Sequence, residues 1–203
     1  MKKKTETKRQ AILDVATQAF LELGFERTSM SEICARVGGS KATLYNYFPS
    51  KEELFFEVIF LSTEAEFEAV LVAIDATTED IAEALRHFGV TLLGFLYSPK
   101  VRAQRHLAVS ESGRTNLGRL VYERGVLRSQ NLMAEFLQQA MNAGKLRQAD
   151  PQVATRHLYS LLESELLERF LLQVLDEVSA EEIRTVTARA IEVFTAAYGA
   201  QPT

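Results

Sequence analysis

Apolar residues recur three and four positions apart through most of the chain, which is the spacing of amphipathic helices. Over residues 5–23 this spacing predicts a first helix with one buried face, on which Ile12 and Phe20 lie. Gly24 stands where a left-handed residue would end that helix, with Phe25 then able to cover Phe20. Because no segment shows sustained strand alternation, the pattern predicts an all-α fold.

Three helix starts follow in quick succession, each marked by a serine. Ser29 has capping-box spacing to a glutamate, and Gly38 stops the helix that it opens. Ser40 and Ser50 open two more. The predicted helices cover residues 30–37, 41–48 and 51–73. The first two are too short to be stable alone, so they must pack on their neighbours.

Beyond residue 73 the periodicity predicts five further helices, separated in part by glycine and proline. Their ranges are 79–97, 99–110, 116–143, 151–176 and 180–198. The chain therefore divides into a small N-terminal domain over 1–50 and a larger helical body over 51–203.

The composition is that of a soluble globular protein, with 47% hydrophobic and 25% charged residues. The single cysteine, Cys34, excludes an intramolecular disulfide and fits a reducing compartment. We interpret it as a small buried hydrophobe, with a redox role as the alternative. The chain has no apolar run of about 18 residues, and no apolar stretch follows its basic start. We therefore expect a cytoplasmic protein with no membrane partner.

The charge is divided unevenly along the chain. Residues 1–51 carry nine Lys and Arg against five Asp and Glu, a balance of +4, which leaves −8 for the rest of a chain whose net charge is −4. A polyanion would be attracted to the N-terminal quarter and repelled by the remainder. A solvated basic tail is the alternative explanation.

Residues 41–48 carry the candidate chemistry. With Leu44 and Phe48 inward, helical geometry leaves the other side chains around the exposed side. The N-terminus of this helix, with Ser40, offers amide donors to a phosphate. Ala42 and Thr43 are small enough to let the helix approach base edges. We therefore predict a DNA-binding surface. Its residues are Ser40, Lys41, Ala42, Thr43, Tyr45, Asn46, Tyr47 and Lys51.

Lys51 opens the fourth helix, where a cation is disfavoured by the helix dipole. A phosphate bound opposite Lys51 would offset that cost. Alternatively, Lys51 is merely solvated, and Tyr45 and Tyr47 are amphipathic packing residues. Taken together, the three positions favour DNA contact.

From Ile33 to Leu54 the chain resembles the TetR family of bacterial transcriptional regulators. The shared pattern is Ile-x-x-x-x-Gly-x-Ser-Lys-x-Thr-Leu-Tyr-x-Tyr-Phe-x-x-Lys-Glu-Glu-Leu. The resemblance implies a three-helix DNA-binding head with a helix-turn-helix motif, phosphate contacts from serine, lysine and tyrosine, and a helical effector and dimerisation domain. Two positions depart from the family pattern: Ala42 stands where glycine is frequent, and Gly39 replaces an apolar turn residue.

The segment over 157–175 is apolar almost all round, so it must be buried on more than one face. We predict that it pairs with the last helix and their copies in a twofold homodimer, whose recognition helices would lie about 34 Å apart on a palindromic operator. A central helix inside a larger monomer is the alternative. The predicted interface residues are Leu158, Leu161, Leu162, Ile183, Val186, Ala190 and Phe194.

The resemblance also implies an internal pocket for a small, largely apolar effector, although aromatic residues at helical spacing are also ordinary core. Glu163, inside an apolar helix, could face a pocket or a partner arginine. The candidate pocket residues are Phe88, Leu92, Phe95, His106, Tyr122, Phe136, Tyr159 and Glu163.

Three functions are compared. The leading hypothesis is a non-enzymatic repressor with double-stranded operator DNA, a small effector and a second copy as partners. A helical enzyme is disfavoured because no nucleophile–base pair, phosphate loop or metal-ligand spacing is found, and we expect neither cofactor nor metal. A regulator or activator without an effector is the third.

Overall fold

The computed structural model describes residues 2–73 and 80–200, with side chains described from residue 6 onward, and this part of the chain is helical almost throughout. The helices are α1 (Lys2–Arg27), α2 (Met30–Val37), α3 (Lys41–Tyr47), α4 (Lys51–Val72), α5 (Ile81–Leu96), α6 (Pro99–Glu111), α7 (Leu117–Val121), α8 (Leu127–Asn142), α9 (Pro151–Glu163), α10 (Leu167–Leu171) and α11 (Ala180–Tyr198). The all-α fold class is confirmed.

Several predicted helices have the bounds that the sequence indicated. The predictions over 30–37 and 180–198 match α2 and α11 residue for residue. The predictions over 41–48 and 51–73 each end one residue beyond α3 and α4. Residue 79, the predicted start of the fifth helix, lies outside the described residues.

One long predicted helix is confirmed and one was wrong. The chain is helical without a break from Leu117 to Asn142, close to the predicted 116–143, and the turn over Tyr122–Val126 between α7 and α8 is π-helical. The helix predicted over 151–176 stops at Glu163, and its apolar continuation forms only the short α10. Apolar periodicity registers neither the π-helical turn nor a helix break that lacks glycine and proline.

The chain forms two compact units, and the first combines Met1–Glu64 with Ala108–Val121. The inward faces predicted for α1 and α4 supply its core: Ile12 and Leu54 are fully buried. The rings of Phe20 and Phe25 each lie 4.8 Å from that of Phe55. The predicted boundary between residues 50 and 51 therefore falls inside a region that packs together, and it stays a prediction.

Gly24 interrupts α1 near its C-terminal end. Its φ of 77° is positive, as predicted, but its ψ of 170° is not that of a left-handed helical residue. The expected contact between Phe20 and Phe25 is present, with ring centroids 6.2 Å apart. Only glycine adopts such a backbone conformation without strain.

The second unit combines Ala65–Leu107 with Tyr122–Thr203. Its core is built by α5, α8, α9 and α11, and Gly89 lies where three of these helices meet. A Cβ at Gly89 would come within 2.7 Å of both Leu162 Cδ2 and Thr187 Cγ2. The missing side chain therefore allows α5 to approach α9 and α11 closely.

Candidate nucleic-acid interface

Local capping fixes the two helices of the helix-turn-helix. The Ser29 hydroxyl accepts from the backbone N–H of Glu32 at 3.1 Å, as predicted. Gly38 ends α2 in the left-handed region, at φ 72° and ψ 39°, and its N–H donates to the Cys34 carbonyl. The Ser40 hydroxyl then caps α3 by accepting from the Thr43 N–H at 3.1 Å. The two serines satisfy N–H groups and Gly38 satisfies a carbonyl that helix ends otherwise leave unpaired, so the turn geometry is set by local sequence.

The outward face of α3 consists of Lys41, Ala42, Thr43, Tyr45, Asn46 and Tyr47. Lys41, Ala42 and Asn46 are exposed, Tyr45 keeps 47% of its surface exposed, and the other two are half-buried. Leu44 and Phe48 point inward and are almost fully buried. The face therefore remains accessible, as the sequence predicted, and α3 is anchored from behind. The contact of each residue with DNA stays a prediction.

Lys51 has a partner within its own unit that the sequence did not reveal. Its Nζ donates to the Phe25 carbonyl at 2.9 Å and lies 4.1 Å from the centre of the Phe25 ring. The carbonyl and the π-face both favour the cation and offset its unfavourable place in the first turn of α4. Because an ammonium has three donors, the predicted phosphate contact remains open but is not needed to explain this lysine.

Ion pairs reduce the positive charge that the N-terminal sequence suggests. Arg9 pairs with Glu57 at 2.6 Å. Arg36 contacts Glu22 at 2.6 Å and Glu32 at 2.8 Å, and these hydrogen bonds raise its pKa. On the outward face of α3, the exposed cation is Lys41.

A shallow, partly open recess with room for little more than one water molecule lies beside the turn between α2 and α3. Its lining residues are Lys8, Ile12, Cys34, Val37, Gly39, Ser40, Thr43 and Leu44. A Cβ at Gly39 would meet only Lys8 Nζ, at 4.0 Å. Cys34 is buried, as predicted, and its thiol donates to the Gly39 carbonyl at 3.1 Å. Position 39 therefore contributes no side-chain packing to the turn.

The predicted pocket residues in the second unit do not all share one environment. Phe88, Leu92 and Phe136 are buried in the core, whereas Tyr122 is 52% exposed. Phe95, His106, Tyr159 and Glu163 are half-buried. The Phe88 and Tyr159 rings lie 5.8 Å apart, and the Tyr159 and Ser129 hydroxyls are hydrogen-bonded at 2.5 Å. Burial raises the pKa of Tyr159, so its hydroxyl stays protonated.

Glu163 belongs to a second group, the polar cluster of Tyr97, Arg105 and Glu163. Arg105 Nη2 and the Tyr97 hydroxyl both donate to Glu163 Oε1, each at 2.7 Å. The Arg105 guanidinium lies 4.6 Å from the centre of the Phe170 ring. Burial, followed by the charge of Glu163, raises the pKa of Tyr97.

His106 follows Arg105 on α6 and stacks on Phe170 with ring centroids 4.1 Å apart. Burial, together with the charges of Arg102 and Arg105, lowers its pKa below the ordinary 6.5. Sequence reasoning missed the roles of Arg105 and Phe170. The spacing of Arg102, Arg105 and His106 on one face of a helix was the available signal.

Most of the predicted dimer residues pack within their own chain. Six of the seven are buried within their own chain, and only Leu161 is half-buried. The six are Leu158, Leu162, Ile183, Val186, Ala190 and Phe194. Each of the six packs in the core of the second unit, and the contact of the seven residues with a second copy stays a prediction.

Two protein-family models match separate parts of the chain. Residues 12–58 match the model of bacterial regulatory proteins of the tetR family. Residues 83–200 match the C-terminal domain of AefR-like transcriptional repressors. The second match alone covers more than half of the chain. The chain belongs to the TetR family.

Known TetR-family structures share the fold over nearly the whole chain. A regulator from Mesorhizobium loti MAFF303099 is 27% identical with a TM-score of 0.79, over 96% of this chain and 98% of that one. The flavonoid-responsive regulator FrrA is 34% identical with a TM-score of 0.77, over 97% of this chain and 100% of that one. The protein is therefore a TetR-family helix-turn-helix transcriptional regulator.

Among curated sequences, the regulator YfiR of Bacillus subtilis is 32% identical over 114 residues. That match covers 51% of this chain and 56% of YfiR. The chain thus matches only about half the length of this relative. Within the described residues, none of the helices of this TetR-family protein is long and apolar enough to span a membrane.

Proposed function

We propose that the protein is a repressor that binds a palindromic operator as a homodimer and is released by a small, largely apolar effector. The observation that carries the proposal is the outward face of α3, which is polar and accessible while Leu44 and Phe48 hold the helix from behind. A helix presented in this way fits the DNA major groove. The match to the C-terminal domain of AefR-like repressors supports repression over activation.

The effector proposal has separate support. The second unit contains aromatic side chains around a few convergent polar groups, which is typical of sites for small ligands. FrrA, a TetR-family neighbour matched over 97% of this chain, is named as flavonoid-responsive. We therefore infer that the effector is a small aromatic compound.

The dimer proposal moves to the outward faces of the same two helices. On α11 these carry Val193, which is 52% exposed, and three exposed alanines. The alanines are Ala188, Ala196 and Ala197. Small side chains let two helices approach closely, and a twofold axis would repeat the same contacts on both copies.

Selection of binding sites from random DNA tests the operator proposal. We expect a palindrome whose half-sites are spaced by about 10 base pairs or a multiple of it. Thr43→Ala should change the selected bases, whereas Lys41→Ala should weaken binding to all sequences and reduce the salt slope by about 1 per lysine removed. Lys100→Ala, an exposed lysine on α6, is the matched control. Recovery of unrelated sequences with no symmetry would contradict the proposal.

Thermal unfolding with a panel of metabolites separates the effector-responsive repressor from a regulator without an effector. A compound that raises the melting temperature should also release the operator in a gel shift. Operator binding that responds to none of the compounds would favour the alternative.

A further inference from the structure

We propose that the polar cluster of Tyr97, Arg105 and Glu163 recognises the effector and selects flat aromatic compounds that carry a hydroxyl group. This inference rests on the proposed function, because it requires that the second unit bind a small effector. It names the residues that would distinguish one aromatic compound from another.

The cluster has unused hydrogen-bonding capacity at an accessible edge. Both donors reach Oε1 of Glu163, and a carboxylate can accept on each oxygen. The side chains of Arg105 and Glu163 remain 19% and 18% exposed, while Tyr97 is buried beneath them. Oε2 can therefore accept a hydrogen bond from a ligand that reaches this edge.

Aromatic surfaces surround the polar atoms. Phe170 is almost fully buried. The His106 ring stacks on it with centroids 4.1 Å apart, and the Tyr97 ring meets it edge-on at 6.2 Å. His106 is only half-buried, so the stack reaches the accessible part of the cluster. A planar ring beside His106 would extend this stack.

Stability alone does not account for such a cluster. Replacing a buried ion pair with apolar side chains is often neutral or stabilising. The chain also breaks α9 directly at Glu163, although residues 164–176 are largely apolar and contain neither glycine nor proline. Places where a structure departs from its local sequence preference are often functional.

The charges of the cluster favour a neutral hydroxyl over an anionic ligand. Glu163 already neutralises Arg105, and Arg102 donates to the carbonyls of Leu175 and Asp176. A carboxylate ligand would have to displace Glu163 from Arg105. A phenol hydroxyl can donate a hydrogen bond to Glu163 and accept one from Arg105 at the same time, so it can bind both side chains without displacing either.

The cluster is also placed to affect α6. Arg105 lies three residues before Ala108, where the chain passes from the second compact unit into the first. A ligand that shares the bonds of Arg105 therefore acts directly on α6.

Calorimetry with two probes, flavone and 7-hydroxyflavone, tests the proposal on the full-length protein. These compounds differ by one hydroxyl group. We expect the wild type to prefer the hydroxylated compound by at least about tenfold, because a site built to bind a hydroxyl group rejects the analogue that lacks it. Glu163→Gln should reduce that preference to less than about threefold.

Glu165→Gln is the matched control, since Glu165 is an exposed carboxylate two residues away that pairs with Arg189. It should keep the wild-type preference. Tyr97→Phe removes one hydroxyl and provides a second variant if Glu163→Gln does not fold; it too should lower the preference. An unchanged preference in a folded Glu163→Gln or Tyr97→Phe variant, or no preference in the wild type, overturns the inference.

Operator binding by the ligand-free wild type, measured by gel shift, is read separately. If the operator is bound and neither probe binds, the inference about the cluster fails while the DNA-binding proposal stands. If the operator is not bound, the proposed function itself fails.

Discussion

Two adjacent glycines in the turn between α2 and α3 have different backbone requirements. Gly38 lies in the left-handed region at φ 72°, whereas Gly39 is not among the residues with positive φ. Space is not limiting at either position: a Cβ at Gly38 would have no neighbour within 4 Å, and one at Gly39 would meet only Lys8 Nζ. The two positions should therefore respond oppositely to the same substitution.

Gly39→Ala should stabilise the protein by about 0.4–1 kcal/mol, because alanine reduces the conformational freedom of the unfolded chain without strain in the folded one. Gly38→Ala should destabilise it by about 1–2 kcal/mol, since an L-residue in the left-handed region is strained. Urea unfolding measures both. Equal effects of the two variants would contradict the backbone assignment.

Alanine substitutions of Lys41 and Lys51 should also differ in their effect on stability. Lys51→Ala should lower stability by about 1 kcal/mol, because it removes a half-buried charged hydrogen bond to the Phe25 carbonyl. Lys41→Ala should change stability by less than about 0.5 kcal/mol, since Lys41 is exposed. Thermal unfolding without DNA gives both values. If the Lys51→Ala variant is as stable as the wild type, the contact with Phe25 does not stabilise the fold, and DNA contact remains the explanation for Lys51.

His106 should make stability depend on pH. Its pKa is lowered below 6.5 in the folded state, so the unfolded chain binds its proton more readily. The contribution of neutral His106 to stability is complete above the pKa that His106 has in the unfolded chain. This contribution is lost as pH falls from there through the lower pKa of the folded state. The decrease in melting temperature from about pH 7 to about pH 5 should be smaller in His106→Asn than in the wild type. A pH dependence in His106→Asn as steep as that of the wild type would contradict this role of His106.

At the scale of elements, the sequence predicts what local capping determines. Ser29 and Gly38 bracket α2, and both cap bonds are made within the helix itself. The end of α9 carries no such local signal, since residues 163–166 contain neither glycine nor proline. The partner of its last residue, Arg105, lies 58 residues earlier in the chain, where no local pattern includes it. The predicted helix over 151–176 therefore ran through the break.

The same distinction applies to the candidate site. The inward positions of Leu44 and Phe48 follow from helical spacing, and they determine which side chains of α3 face outward. The place of Lys51 over Phe25 depends on how α1 and α4 meet, which spacing does not encode. The polar cluster is likewise assembled from α5, α6 and α9.

The end of α10 lacks the glycine by which a helix end is usually recognised in a sequence. The Val174 N–H donates to the Arg169 carbonyl, and the Gln173 N–H to that of Phe170, both at 3.0 Å. These are the two bonds of a Schellman ending, in which glycine usually occupies the position of Gln173. Gln173 instead has a φ of 56°.

Gln173→Gly should therefore stabilise the protein by about 1 kcal/mol, because it relieves the left-handed strain. Gln130→Gly inside α8 should destabilise it by about 1 kcal/mol, the ordinary cost of glycine in a helix. Chemical unfolding of both variants measures the difference. A loss of stability in Gln173→Gly comparable to that in Gln130→Gly would contradict the assignment.

At the scale of the whole molecule, dimerisation depends on which apolar side chains remain outside the core. The buried faces of α9 and α11 are already used within one chain. Val193 is 52% exposed on α11, whereas Val72, at the end of α4, is 77% exposed. The proposed interface includes only the first of these two valines.

Val193→Asp should weaken the dimer by about 3 kcal/mol, because a twofold interface loses about 1.5 kcal/mol of valine burial on each copy. Val72→Asp should leave the dimer intact, although it exposes the same charge. Sedimentation equilibrium measures the two dissociation constants. Gel shifts should then show that Val193→Asp loses affinity for the full palindrome but binds a single half-site like the wild type. If the two variants have the same dissociation constant, the second copy does not dock on the outward face of α11.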